Sequence, residues 1–581
     1  MLILGLSSFT HDSAAGLLED GAVRAAIEES KLTRLYTRGL PEKAMGYCLS
    51  KGGIAWHDLD IVAVASRPFR GWLRRAIPVH SSPFSSANVY YEANQLGTLA
   101  RQLSDLRQLR HENGTCKFKL MCLDHHLCHA AATFFQSPFE RALVVTMDEG
   151  TDGNSGMVAV GEGNRLREVE TLAFPHSLAW VYTQITALLG FVPRKEEHKT
   201  QWLGMSGEPL FKDVLLDLMR GGSGSPLPRL NRKLVERDAT GRLKLSQSFF
   251  ARTGIPERGS ELGDDVRQAL AGSLQQACFE IVRDVIRHYQ KKLGTDKVCL
   301  GGGLFHNIVL VSALEKEFGL NQIFVPAAPG NAGCAIGAGL YAWHHVMQKP
   351  RQESPSHVYW GPVYNRHEIE DMLTNSKARY SCHNTDERRL DAALQLLQND
   401  KIIAWFQGAA EFGSRALGNR SLLASPWGQY VKENLNDYIK HREWFRPFAI
   451  AIPEEDCDRY FECSKLCRFM SSLATLRPEA NVLPEGFVLP GNQVRLHVVE
   501  KQANPAFWQL LKRFGTIAPA PMLINTSFNM SGEPLIAKPQ DALRSYFCSG
   551  IDALVIDRIV LSKYPVPNVS SPTLTTTLRN H

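Results

Sequence analysis

The chain opens on a short apolar run, Leu2 to Leu6, followed by a polar loop (SSFTHDS), a second apolar run (AAGLLED), an Asp20-Gly21 pair and a third run (AVRAAIEE). Runs of this length predict strands, and an Asp-Gly pair between two of them predicts a tight hairpin. The same plan returns at Ala142 to Glu170, where strand ALVVTMD leads into loop EGTDGNS, strand GMVAVGE, a Gly163-Asn164 turn and strand LREVE. Two copies of strand, polar loop and hairpin predict a duplicated fold. A further apolar run, Val298 to Leu300, ends in Gly301-Gly302-Gly303 ahead of a helical pattern from Asn307. A second glycine-punctuated loop, Pro329 to Leu340 (PGNAGCAIGAGL), enters a helix of small residues. Glycines at such strand-to-helix turns let backbone approach a ligand closely.

Duplication of this kind builds the α/β ATP-binding folds of the actin, hexokinase and Hsp70 class, whose two polar loops face each other around a nucleotide's phosphates. The segment Met347 to Ser356 (MQKPRQESPS) is polar, contains proline and lacks periodicity. It marks a boundary between a first domain over residues 1–348 and a second α/β domain over 357–581. The second predicts helices at Glu368–Ser376 and Glu387–Asn399, then a buried strand at Ile402–Phe406.

Composition narrows the class. A length of 581 residues exceeds what one hydrophobic core supports, and 44% hydrophobic with 21% charged residues describes a globular enzyme rather than a disordered chain. The net charge of +6, from 65 basic and 59 acidic residues, is too mild to mark a nucleic-acid partner. The densest basic stretch, Arg67 to Arg75, reads as a solvated face. Twelve cysteines without a CxxC pair argue against a zinc ribbon or a disulfide framework and for reduced thiols in the cytoplasm. Neither a basic leader nor ~20 uninterrupted apolar residues occurs, which argues against a signal peptide and a membrane span.

Four stretches carry chemistry. In Asp124-His125-His126-Leu127-Cys128-His129, His125 and His129 stand four apart and share one helical face, the spacing at which two imidazoles can hold a metal. His126 points elsewhere, and Asp148 at the end of VVTMD is a natural third ligand. His11 and Asp12 occupy the first polar loop, where an imidazole can polarise a carbonyl or shuttle a proton. In the second domain, QGAAEFGSRALGNRS (Gln407 to Ser421) combines glycines with Arg415 and Arg420, and KHREWFRPF (Lys440 to Phe448) adds cations among aromatics. Guanidinium groups beside glycine loops predict a phosphate site. Asn525 and Ser527, in LINTSFNMSGEP, end an apolar strand as amide and hydroxyl donors.

Taken together, HDSAA at His11, DHHLCHA at Asp124, HSLAWVYTQITALLGF at His176, HKTQWLGMSG at His198, GGGLFHN at Gly301, FQGAAEFGSRALGNRS at Phe406, IKHREWFRPFA at Ile439 and LINTSFNMSGEP at Leu523 resemble, in the same order and from end to end, the O-carbamoyltransferases of the NodU and TobZ type. The resemblance implies a TsaD-like first domain and a YrdC-like second domain. It implies that the second converts carbamoyl phosphate and ATP, with Mg2+, into carbamoyl-adenylate, held by Arg415, Arg420, Lys440, Arg446, Arg495, Asn525 and Ser527. It further implies that the first transfers the carbamoyl group to a hydroxyl of a small molecule, a natural product or saccharide. There His11 and Asp12 would be catalytic, Gly302, Gly303, Asn307 and Lys199 would hold the adenylate, and His125, His129, Asp148 and residue 331 would hold a divalent metal of the Fe2+ kind. No nucleic-acid or membrane partner is implied, and a homodimer is compatible with it.

Two departures stand out. The family usually carries Asp in the loop that here reads Pro329-Gly330-Asn331-Ala332-Gly333, so Asn331 offers a carbonyl oxygen without charge. Ala409, Ala410 and Ser414 replace the Arg, Met and Pro common in the arginine loop. Two rival readings are weaker. Hydrogenase-maturation carbamoylation of a protein thiol uses the same modules in the opposite order, with zinc cysteine pairs. A nucleotide-responsive regulatory protein would not need the cations of the second domain.

Overall fold

The protein is described from a computed structural model, which covers residues 1–8, 12–36, 39–67, 104–105, 108, 118–221, 226–238, 242–257, 262–480 and 482–564. His11 and most of the basic stretch Arg67 to Arg75 lie outside these residues.

The duplicated plan of the sequence is present, strand for strand. The first sheet comprises β1 (Leu2–Ser7), β2 (Ala14–Glu19), β3 (Ala22–Glu28), β4 (Ile61–Val64) and β5 (Lys119–Cys122) in the order β3-β2-β1-β4-β5. The second comprises β6 (Arg141–Thr151), β7 (Asn154–Glu162), β8 (Arg165–Ala173), β9 (Val298–Gly301) and β10 (Ile323–Phe324) in the order β8-β7-β6-β9-β10. In each, the first strand pairs antiparallel with the next and parallel with the fourth. Asp20 and Gly21 both take positive φ, 49° and 86°, which a two-residue hairpin of the right twist demands. The inner strands β1, β4 and β9 read as apolar runs because helices cover the sheets.

Two of those helices, His125–Phe134 and Gly333–Leu340, lie against each other between the sheets. A Cβ at Gly337 would overlap the carbonyl oxygen of Cys128, so glycine there sets how closely they approach. The 30-residue helix Asp264–Leu293, with two aspartates in its first turn and Gly294 in αL conformation at its end, covers the second sheet.

Beyond Met347, a stretch with no helix or strand leads to the second half, where helices Arg366–Asn375 and Asp386–Gln398 precede an eight-stranded mixed sheet. Its central strands are β12 (Ile403–Phe406), β13 (Arg420–Ala424), β16 (Leu523–Ser527) and β14 (Ala449–Pro453), in that spatial order. β11 (Ser381–Cys382), β18 (Ile559–Ser562) and β17 (Ala553–Ile556) lie outside β12, and β15 (Leu496–Val499) lies outside β14. The two halves share a continuous apolar seam, in which Phe412, Leu417, Ala449 and Met470 pack with Ala335, Ile336 and Ala338. A buried ion pair, Lys31 to Glu28 at 2.9 Å, is tied to the second half. Lys31 donates to the carbonyls of Glu411 and Gly413, and Gly413 N–H donates to Glu28. No helix among the described residues is long and apolar enough to cross a membrane.

Candidate active site

A cavity of about 420 Å³ opens along the seam, lined from both halves. Its lining takes Asp148, Gly303 and Asn307 from the first half and Arg415, Arg442, Arg446, Arg495, Asn525 and Ser527 from the second, and Arg415 donates to the His306 carbonyl at 3.3 Å.

The first end is built on a helix start. Asp124 caps helix His125–Phe134 by accepting from the N–H groups of His126 and Leu127, which fixes the rotation of the first turn. His125 and His129 then face Asp148 on the adjoining β6. Their Nε2 atoms stand 3.1 Å apart and lie 3.5 and 3.3 Å from Asp148 Oδ2. Gly303 makes room, since a Cβ there would sit 2.9 Å from Asp148 Oδ1. His126 turns away to Thr146, at 2.9 Å, and burial pushes its pKa down to about 3.

His125 Nδ1 faces the carbonyl of Ala65 at 3.2 Å, which fixes the ring with Nε2 in the cluster. Burial alone would raise the Asp148 carboxyl, but hydrogen bonds from His125 and His129 hold it well below the usual carboxylate range. Burial lowers His129, whereas for His125 the Asp148 carboxylate overcomes burial and raises the pKa. One proton between the imidazoles satisfies one contact, and a divalent cation satisfies all three. The three spacings also match the ~3.3 Å edge of a tetrahedron with ligand bonds of ~2.0–2.1 Å, so these residues fit a metal. Cys334 adds to the group. Its sulfur, a ring nitrogen of His125 and one of His129 lie within 4.8 Å of one another.

The second end is shaped by a buried carboxylate. Glu411 accepts from the N–H groups of Leu417, Asn419 and Arg420, which folds the glycine loop around it and directs Arg415 into the cavity. Four guanidinium groups gather there. Burial and then Arg446 push Arg415 down to about 10, and the same two causes push Arg442 down to about 9. Arg495 is lowered furthest, by burial and then by Arg415, Arg442 and Arg446. Glu443 pairs with the cluster, 3.6 Å from Arg446 and also paired with Lys199, and Glu196 acts on Arg446 from further off. Four partly desolvated cations give this part of the cavity an excess of positive charge. Asn525 is pinned by donating to the Ala416 carbonyl and facing His497, leaving its buried Oδ1 without a donor among the described residues.

Several expected site residues stand elsewhere. Arg420 does not reach the cavity. Its guanidinium is fully buried over the Phe406 ring, donating to the carbonyls of Gln407, Asn419, Pro362 and Gly408, and so holds the loop together. Lys199 does not line the cavity either, being drawn into ion pairs with Glu196 and, across the seam, Glu443. Lys440 sits behind the wall, donating to Ser527 and Asn529 and thereby setting the Ser527 hydroxyl. Gly302, at φ 99°, forms the turn beneath Gly303. Asn307 lines the cavity but spends its amide on capping its own helix and pairing with Gln275. Asp12 lines the cavity, and Asn331 is buried in the loop before Cys334.

Arg442, His198, Trp202 and Cys334 were not singled out from sequence. His198 and Trp202 share a face of helix Glu197–Leu203, reach the arginines from the opposite half, and place an indole 5.8 Å from Arg495. Burial, then Arg446 and Arg415, push His198 down to about 3.

Comparison with known proteins places the chain in a family. A family model described as carbamoyltransferase N-terminus matches residues 2–340, and one described as carbamoyltransferase C-terminus matches residues 394–563. An uncharacterized protein of Synechocystis sp. is 32% identical over 97% of both chains. Nodulation protein NolNO of Sinorhizobium fredii is 31% identical over 96% of this chain and 80% of its own. A 3'-hydroxymethylcephem-O-carbamoyltransferase of Amycolatopsis lactamdurans is 28% identical over 49% of this chain and 52% of its own.

Proposed function

The chain belongs to the carbamoyltransferase family, and from that premise we propose that it is an ATP-dependent O-carbamoyltransferase running two half-reactions at the two ends of one cavity. The observation that carries the proposal is the cavity itself, with an under-compensated arginine cluster at one end and a His-His-Asp cluster at the other. The division of labour follows residues 1–348 and 357–581.

At the arginine end, carbamoyl phosphate, ATP and water become carbamoyl-adenylate, pyrophosphate and phosphate. The bond from the carbamoyl group to phosphate opens, a carboxyl oxygen bonds to the α-phosphorus, and pyrophosphate leaves. Arg415, Arg442, Arg446 and Arg495 hold the phosphates and stabilise the charge that builds on the leaving groups. Asn525 Oδ1 suits the carbamoyl NH2, because an amide oxygen can only accept. His198, kept neutral by burial and then by the surrounding guanidiniums, adds no charge to compete for the anion.

At the histidine end, the acceptor hydroxyl bonds to the carbamoyl carbon, the bond to AMP breaks, and AMP leaves. A divalent metal on His125, His129 and Asp148 would supply positive charge to the adenylate phosphate. The hydroxyl proton passes to the loop of His11 and Asp12, of which Asp12 faces the cavity. A hydroxyl acceptor is favoured by the cephem relative, whose name places its carbamoyl group on oxygen. A natural product or saccharide is the acceptor class we favour.

The test is to incubate the protein with ATP and carbamoyl phosphate and follow pyrophosphate and carbamoyl-adenylate by mass. Pyrophosphate release that depends on carbamoyl phosphate is expected. Release at the same rate without carbamoyl phosphate, or none at all, would refute the proposal.

A further inference from the structure

We propose that Cys334 is a metal ligand, so that this chain holds its ion with two imidazoles, one carboxylate and one thiolate. This rests on the reading of His125, His129 and Asp148 as a metal centre. Three donors leave the fourth vertex of a tetrahedral site open, and the Cys334 sulfur is a further donor close to both imidazoles. It lies with one ring nitrogen of each histidine in a group whose members are all within 4.8 Å.

The packing of two helices brings it there. Cys334 stands in the first turn of helix Gly333–Leu340, and Gly337, one turn on, rests against the Cys128 carbonyl of the helix that bears both histidines. The thiol is fully buried and, among the described residues, has neither a disulfide nor a side-chain hydrogen bond. A buried cysteine often serves only as a small apolar side chain. One feature speaks for more here: the convergence on two imidazoles that both face Asp148. A thiolate adds negative charge to the set, and its proton goes to solvent as the ion binds. It also changes the selection. A set of two nitrogens, one oxygen and one sulfur favours a softer ion such as zinc(II) over the harder ions that two carboxylates suit.

Cobalt(II) is the probe, because thiolate coordination gives it a near-ultraviolet charge-transfer band that imidazole and carboxylate do not. The full-length protein is stripped with a chelator and titrated with cobalt. The wild type is expected to show tetrahedral d–d bands and the charge-transfer band together. Cys334→Ser should keep the d–d bands, lose the charge-transfer band, and bind roughly 10- to 100-fold more weakly. Circular dichroism checks its folding, and Cys334→Ala provides a second variant, in which the d–d bands stay and the charge-transfer band is lost. Tetrahedral d–d bands without charge transfer in the wild type, or a charge-transfer band that survives Cys334→Ser, would overturn the thiolate and leave the histidine site standing. If the wild type binds no more cobalt than His129→Ala, the metal centre itself is refuted, and the thiolate ligand with it.

Discussion

The two ends of the cavity differ in the charge they gather. At one, two imidazole nitrogens and a carboxylate oxygen lie within 3.5 Å of one another. At the other stand four guanidiniums whose pKa values are lowered by burial and then by their cationic neighbours. Like charges gathered in a buried cavity cost stability, so the fold alone does not explain them. On the function proposed above, a polyanionic donor meets the second end and a cation held at the first.

Removing one arginine should therefore damage one end alone. Arg495→Ala is expected to lower carbamoyl phosphate-dependent pyrophosphate release by about 10³-fold, in the range of losing one transition-state donor. Its folding should be unharmed, because it relieves repulsion among buried cations. A denaturation midpoint well below the wild type would mean that Arg495 is structural. Arg420 provides the contrast. Arg420→Ala removes four hydrogen bonds, and of the four carbonyls only those of Asn419 and Pro362 keep a backbone donor among the described residues, so a loss of about 3 kcal/mol in urea unfolding is expected. An unchanged unfolding curve with lost pyrophosphate release would put Arg420 back among the substrate contacts.

The smallest expected effect concerns the bridge between the halves. Burial alone would raise the Glu443 carboxyl, but Lys199 holds it below its ordinary value. A depressed carboxyl contributes stability that is fully present above its unfolded pKa and is lost as pH falls through the lower folded value. Wild-type stability should thus decline from about pH 4.5 downward. Lys199→Met should lose less than about 1 kcal/mol at pH 7, because the pair is partly exposed, and should flatten that acid decline. Equal slopes for both proteins would remove Lys199 as the cause.

Much of this was legible in the chain, for reasons that differ between the two ends. The duplicated hairpins could be read because strand period and the Asp20-Gly21 turn are local signals. His125 and His129 could be read because a spacing of four fixes one helical face. The arginine end is assembled from β15, a loop beside β14 and a glycine loop, so residue type could suggest Arg415 and Arg420 equally. The fold then sends one into the cavity and the other into the core, a choice made by Glu411 and the carbonyls around Phe406. His198 and Trp202 belong to the first half by sequence and to the arginine site by packing, which no local pattern records. Cys334 looked like one more small residue in a glycine-rich helix until that helix met the histidines.

The most direct test of two separate half-reactions is to measure carbamoyl phosphate-dependent pyrophosphate release and acceptor carbamoylation side by side in Arg415→Ala and Asp148→Asn. Arg415→Ala should lose both, because no adenylate forms. Asp148→Asn should keep pyrophosphate release within a few-fold of the wild type while acceptor carbamoylation falls by about 10- to 100-fold. If Asp148→Asn instead abolishes pyrophosphate release as completely as Arg415→Ala does, the cavity houses one undivided site and the assignment of its two ends is wrong.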